Sequence, residues 1–198
     1  MATSIYCPHC HKHTSLRMGR WITQDRYGSA ESTAARTNEM KNNWWIGICN
    51  ACSKPVLVEG EGQTIYPSPL PSATDPSMPA DLRSDLDEAK MSFSVSCYRA
   101  SAVLSRRCIQ RACIMKGAKK HDLVEQIKEL TDNGAITKDL GDWANVVRWI
   151  GNDAAHPNAT AVGKDDASDC LTLAEQFLHV LFVAPALAKA HKAKRGKT

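Results

Sequence analysis

Cys7-Pro8-His9-Cys10, answered across 38 intervening residues by Cys49-Asn50-Ala51-Cys52, decides how the first third of this chain folds. Two Cys-x-x-Cys turns place four thiolates where they can close a tetrahedron around Zn²⁺ at about 2.3 Å per bond. Such a cage needs soft, deprotonated, paired ligands, and each tight turn supplies one pair. A redox pair would explain one motif and not two, and nothing around either reads as a βαβ unit. Two disulfides are the remaining alternative, and the intervening stretch is longer than the roughly 15–20 residues of a compact ribbon. The reading is one structural Zn²⁺ per chain on Cys7, Cys10, Cys49 and Cys52. His9, His11 and His13 are left as solvated surface, because four thiolates already fill the site.

Around the cysteines the pattern is β. Leu16–Thr23 reads as a strand, Trp44-Trp45-Ile46-Gly47-Ile48 runs straight into Cys49, and Pro55-Val56-Leu57-Val58 returns from the second turn. Gly28–Asn43 is polar and without period, a loop or finger. Either Trp44 or Trp45, whichever points inward, supplies core that so small a module otherwise lacks. Residues 1–66 are thus expected to be a β-rich zinc ribbon. Pro67, Pro69, Pro71, Pro76 and Pro79 mark residues 67–80 as a semi-rigid linker.

Helical periodicity takes over at residues 81–188. Ala89, Phe93, Cys97, Ala100, Leu104, Cys108 and Ala112 recur at three- and four-residue steps, one stripe on a helix of about seven turns that Gly117 ends. Leu123, Ile127 and Leu130 make a short second helix, stopped near Asn133-Gly134. Thr137 can N-cap a third, with the stripe Leu140, Trp143, Val147 and Ile150. A fourth runs from about Asp166 through Cys170, Leu173, Ala174, Phe177 and Leu181 until Pro185 kinks or ends it. The fold class is therefore α+β, a ribbon followed by an antiparallel four-helix bundle, with residues 189–198 as a basic tail and no internal repeat apparent.

Charge is divided along the chain. Residues 1–58 carry seven Lys/Arg against three Asp/Glu, residues 59–188 carry 13 against 18, and the residues after Leu187 add five cations and no acid. The helical body is mildly acidic, so a generic pull on phosphate would come from the ends. No apolar run of membrane-spanning length and no signal sequence is evident, which points to a cytoplasmic protein with no membrane partner. Cys97, Cys108, Cys113 and Cys170 fall in helical patterns, where a free thiol acts as a small hydrophobe, as a reducing compartment allows.

The second unusual segment is Arg148-Trp149-Ile150-Gly151-Asn152-Asp153-Ala154-Ala155-His156-Pro157. Arg148, Asn152 and His156 stand at i, i+4 and i+8, one polar stripe beside the buried one. Pro157 disfavours helical geometry at His156, which belongs at or just past the last turn. Gly151, Ala154 and Ala155 remove bulk, so another helix or a ligand can approach. A cation, an amide and an imidazole on one face can hold a phosphodiester and move a proton. The alternative is local: Asn152 bonds to backbone and His156 satisfies carbonyls at a helix end.

With these motifs the chain resembles domain-of-unknown-function family 4145. The resemblance rests on the Cys-x-x-Cys pairs, Trp-Ile-Gly-x-Cys before the second pair and Tyr66-Pro67-Ser68-Pro69. It rests also on Ala100-Ser101-Ala102-Val103-Leu104-Ser105-Arg106-Arg107 and Arg148-x-x-Gly151-Asn152-x-Ala154-Ala155-His156. It extends over nearly the whole chain. That family is similar to the HEPN superfamily of helical bundles, many of which are metal-independent ribonucleases of toxin, CRISPR and phage-defence systems with active sites formed across a homodimer. The resemblance implies an RNA-cleaving or RNA-binding protein of phage–host conflict, with Arg148, Asn152 and His156 as catalytic residues and Arg106 and Arg107 as candidates to complete a nucleic-acid site. Asn152 and His156 match the polar residue and the His of the HEPN motif. The chain departs at the motif arginine, whose place Gly151 occupies, with Arg148 one turn earlier as the substitute. Other HEPN proteins have lost activity, so the alternative is a catalytically inactive adaptor that binds a protein or nucleotide partner of a defence or phage system.

Overall fold

A computed structural model describes residues 4–24, 30–33, 43–59, 64–157 and 160–196. The chain divides into two compact units, Met1–Ala73 and Thr74–Thr198, and the fold is α+β: an antiparallel sheet, then helices.

The first unit is built on two hairpins that turn through the cysteine knuckles. Strand β1 (Ser4–Tyr6) passes through the first knuckle into β2 (His13–Gln24), and β4 (Asn43–Cys49) passes through the second into β5 (Pro55–Glu59). Two short strands, β3 (Ala30–Thr33) on β2 and β6 (Thr64–Tyr66) on β5, complete a sheet of order β1-β2-β4-β5-β6. β3 falls inside the stretch expected to be a loop. Residues 25–29 and 34–42 of that region lie outside the described residues.

Pairing of β2 with β4 sets Leu16 opposite Cys49 and thereby brings the knuckles to one end of the sheet. The inner face is a small core of Ile5, Leu16, Trp45, Val56 and Val58 packed with Cys7 and Cys49. Trp45 is therefore the inward tryptophan of the pair. Gly47 has a tertiary reason: a Cβ there would lie 2.6 Å from Leu16 Cδ1 and 3.0 Å from the Trp45 ring, so the glycine makes room for the core.

The second unit is helical: α1 (Ala80–Ser94), α2 (Tyr98–Met115), α3 (Leu123–Asp132), α4 (Lys138–Ala155), α5 (Lys164–Leu178) and α6 (Ala184–Lys194), the last two joined by a π-helical turn, His179–Val183. This corrects the expected single seven-turn helix. Ser92, Ser94 and Ser96 compete with helical bonding, and Ser96 takes a left-handed conformation (φ 64°). There the chain doubles back. The ion pairs Asp81–Arg111 and Asp85–Arg107 show α1 and α2 lying antiparallel. Cys97, expected to be buried within the stripe, instead begins α2 and is exposed.

α2 is the hub, packed against α1, α4 and α5. The core gathers Leu86, Ala102, Cys108, Ile109, Ile127, Leu130, Ala144, Val147, Cys170, Ala174 and Phe177. Thr137 caps α4, its hydroxyl accepting from Leu140 N at 3.3 Å, as its sequence position suggests. Trp143 lies at the edge of the α4 stripe and is exposed, while Ala144 and Gly151 hold the buried side with Leu140 and Val147.

Pro185 does not stop the last helix. Ala184 N–H bonds back to His179 O, and the widened turn accommodates a ring that would otherwise meet a carbonyl four residues earlier. The segment expected as a basic tail is thus helical as far as Lys194. Contrary to the expectation of no apolar run of that length, Lys164–Lys194 is one continuous helix, long and apolar enough by length and composition to cross a membrane. Its α5 part packs Ala167, Cys170, Leu171, Ala174, Phe177 and Leu178 into the bundle core.

A buried cation fastens the start of this unit. Lys90 is fully buried, pairs with Glu175 of α5 and donates to Thr74 Oγ1 at 2.8 Å. Thr74 in turn donates to Asp87 Oδ1 at 2.6 Å. Burying an ammonium is costly unless its hydrogens are matched, and two oxygen partners supply the match.

Candidate functional site

The two knuckles are built alike. In each, the first cysteine donates its N–H to the carbonyl of a lysine five residues on, Cys7 to Lys12 and Cys49 to Lys54, both at 3.0 Å. In each, the residue after the second cysteine bonds back to the carbonyl of the first, His11 N to Cys7 O at 3.0 Å and Ser53 N to Cys49 O at 2.8 Å. That residue is left-handed in both, φ 53° at His11 and 59° at Ser53. The pattern Cys-x-x-Cys-x-Lys therefore occurs twice, an internal repeat that was not apparent in the sequence.

The β2–β4 pairing then sets the repeats face to face. Asn50 N donates to Ser15 O at 3.2 Å and Asn50 Nδ2 to Ser15 Oγ at 2.8 Å. His9 Nε2 lies 2.9 Å from Pro55 O, so this half-buried histidine ties one knuckle to the strand leaving the other rather than remaining free in solvent.

All four sulfurs lie within 4.8 Å of one another, with Cys7 Sγ–Cys52 Sγ at 3.8 Å and Cys10 Sγ–Cys49 Sγ at 4.0 Å. A disulfide would need about 2.05 Å. The edge of a tetrahedron with 2.3 Å metal–sulfur bonds is about 3.8 Å. The cluster has metal-site dimensions. Burial penalises the charged form of Cys49, but N–H groups of Cys52 and Ala51 and the neighbouring thiols bring its pKa down to about 6. Burial and the thiols of Cys7, Cys52 and Cys49 push Cys10 up to about 12. One thiolate is thus ready, and a bound dication would displace the remaining protons.

The second candidate lies at the C-terminal end of α4. Gly151 is buried because α2 crosses there: a Cβ on it would sit 2.5 Å from Arg106 Cβ, 3.0 Å from Arg106 Cδ and 3.1 Å from Ala102 O. The stem of Arg106 therefore runs over Gly151, and its buried Nε has no hydrogen-bond partner among the described residues. Arg107, one residue on, faces α1, and its Nε meets Asp85 Oδ2 at 3.3 Å. The adjacent arginines are thus separated, Arg106 to α4 and Arg107 to an ion pair that Asp85 shares with Arg111 at 2.7 Å.

Arg148 and Asn152 are half-buried one turn apart on α4. Arg148 Nε donates to Asn145 Oδ1 at 3.2 Å, and its guanidinium carbon lies 5.7 Å from the Trp149 ring centroid. His156 is the C-cap in extended conformation (ψ 127°), its N–H held by Asn152 O at 3.1 Å and its side chain exposed. Arg148, Asn152 and His156 thus occupy successive turns at the end of α4, with Arg148 held one turn back by Asn145, and the stem of Arg106 from α2 reaches Gly151 between them. Only a three-dimensional neighbour relation brings Arg106 to Gly151.

A family model described as a domain of unknown function (DUF4145) matches residues 87–195. The match begins within α1 and ends just past α6, so the helical unit carries it and the four cysteines lie outside. No curated protein and no solved structure matches the chain. With more than half its length matched, helix pair, Gly151 crossing and His156 cap included, the chain belongs to the DUF4145 family.

Proposed function

We propose that this chain is an RNA-handling protein of the HEPN kind, a metal-independent endoribonuclease or RNA-binding dimer whose N-terminal unit is held by one structural Zn²⁺. Zinc is favoured by the four-thiolate, tetrahedral donor set, which leaves no open position for catalysis. The observation that carries the RNA reading is the Arg106 stem lying over Gly151. The motif position that lacks an arginine is overlaid by an arginine from the neighbouring helix.

In this reading His156 takes the proton of a ribose 2′-hydroxyl. Arg148 and Arg106 stabilise the charge that develops on phosphorus-bound oxygens, and Asn152 holds a non-bridging oxygen. The 2′-oxygen attacks phosphorus, the bond from phosphorus to the 5′-oxygen breaks, and that oxygen takes the proton from the His156 imidazolium, leaving a 2′,3′-cyclic phosphate and a 5′-hydroxyl. Arg107, whose Nε meets Asp85, is given no role in this reading. A two-fold contact between helical units would set one His156 near its mate.

Single-stranded RNA incubated with the zinc-loaded protein and a divalent-ion chelator is the test. Cleavage by wild type, lost in His156→Ala with zinc content and helicity intact, is the expected result. Cleavage retained by a folded His156→Ala protein refutes the catalytic assignment. The adaptor reading, favoured by Gly151 in the arginine position, requires that wild type cleave nothing.

A further inference from the structure

Trp149 stands on α4 opposite the buried stripe of Leu140, Ala144, Val147 and Gly151 and is 55% exposed. No aromatic side chain among the described residues is more exposed. An indole left in water forgoes a large burial gain, and its neighbours do not form an apolar patch that would recover it. One turn away on its face are Asn145, half-buried Val146, Asn152 and Asp153, with His156 at the cap. The Arg148 guanidinium lies over the ring at 5.7 Å, steadied by Asn145, and has N–H donors to spare beyond the one that Asn145 accepts.

From this arrangement we infer that Trp149 is a stacking platform for a nucleobase, and that the end of α4 binds unpaired single-stranded nucleic acid rather than duplex. This rests on the phosphate-handling reading above and names its substrate class. The cation over one face of the ring takes the phosphate, and the opposite face takes the base attached to the same nucleotide. Asp153 lies on the opposite flank of Trp149 from Arg148, so the backbone is steered to the arginine side. A base inside a duplex presents no free face to the indole, which excludes paired strands. A second copy of the chain fits less well, because the core of a protein interface is depleted in charge and buries about 800 Å² a side. Here an exposed indole has one apolar neighbour a turn away, Val146, and is otherwise flanked by polar groups.

The test uses fluorescein-labelled single-stranded octamers of deoxyadenylate, which lack the 2′-hydroxyl and cannot be cleaved through it, and an abasic octamer with the same phosphates. Anisotropy titrations are run on wild type, Trp149→Ala, Trp149→Phe and Arg148→Ala. Wild type is expected to prefer the base-bearing strand. Trp149→Ala should weaken that strand roughly five- to 150-fold, the worth of one stacked base, with the abasic strand unaffected and Trp149→Phe close to wild type. Arg148→Ala should weaken both strands.

If Trp149→Ala binds both strands as wild type does, the stacking assignment is wrong while the phosphate site stands. If wild type binds neither strand, both are wrong. Light scattering on the same samples supplies the remaining arm: conversion of a dimer to a monomer by Trp149→Ala, with strand binding unchanged, makes the indole a protein contact and overturns the inference.

Discussion

α4 carries two buried glycines, and the same substitution should cost stability at one and leave it nearly unchanged at the other. In a helix interior, Gly→Ala stabilises by about 1 kcal/mol through backbone entropy alone. At Gly141 the new methyl meets Thr131 Oγ1 at 2.8 Å and Ile127 Cγ2 at 3.7 Å. Thr131 can turn about χ1, giving up its 2.8 Å bond to Ile127 O, so gain and loss nearly cancel. At Gly151 the methyl would meet Arg106 Cβ at 2.5 Å and Ala102 O at 3.1 Å. Neither atom moves unless the α2 backbone moves. Overpacking of that kind costs about 1–3 kcal/mol, and the upper half of the range applies where no rotamer gives relief.

The net expectation is a loss of about 1–2 kcal/mol for Gly151→Ala and within about 1 kcal/mol of zero for Gly141→Ala. Urea unfolding followed by helical circular dichroism reads the helical unit, since every helix among the described residues lies in residues 80–194. The denaturant slope should be unchanged in both variants. Arg106→Ala should not rescue Gly151→Ala, because the closest contact is to a Cβ that alanine keeps, whereas Arg106→Gly should rescue in part. A Gly151→Ala protein as stable as wild type would refute the close crossing, and with it the placement of Arg106 at the end of α4.

Three further outcomes follow from the same geometry. Protein purified without added metal should contain one equivalent of zinc, and Cys49→Ser should lose it and destabilise the sheet unit; because protons compete for the thiolates, retention should weaken as pH falls, as metal analysis after dialysis at graded pH will show. Lys90→Ala should cost the helical unit about 1.5–3 kcal/mol in denaturant unfolding, since it removes a fully buried side chain and its charged bonds to Glu175 and Thr74, while Lys119→Ala, exposed, should cost nothing measurable. Burial pushes the Cys108, Cys113 and Cys170 thiols from 9.0 up to about 12, so their contribution to stability is whole below pH 9 and is lost as pH rises from 9 toward 12; at pH 8 a thiol reagent should modify Cys97 in the native zinc-loaded protein and those three only after unfolding.

Local signals carried the sequence reading far. Paired cysteines, the Thr137 cap and the stops at Gly117 and Asn133-Gly134 each act within a few residues, and each appears in the fold. The break at Ser96 was hidden because a three- and four-residue stripe continues through it on both helices; only the serines, weak helix formers, signalled the turn. The knuckle repeat escaped notice because Lys12 and Lys54 contribute carbonyls and not side chains, so their identity carries little information. Trp143 was placed inside because periodicity defines a stripe but not its edges. Arg106 lies 45 residues from Gly151 in sequence, and nothing local to either states that they touch. The family match covers the helical unit and not the nearly whole chain that the motifs suggested.

The twin knuckles also settle why a long excursion between the cysteine pairs does no harm. Each turn is closed by its own bonds between residues four and five apart. The β2–β4 pairing and the metal site hold the two turns together, and bringing them there costs the entropy of closing one large loop. That entropy grows only with the logarithm of length, about 0.6 kcal/mol for each doubling. Lengthening the segment between the hairpins therefore adds little to the closure cost, whereas trimming into β3 would give up its pairing with β2. The metal site constrains where the chain leaves and where it returns, and leaves the path between them open to variation.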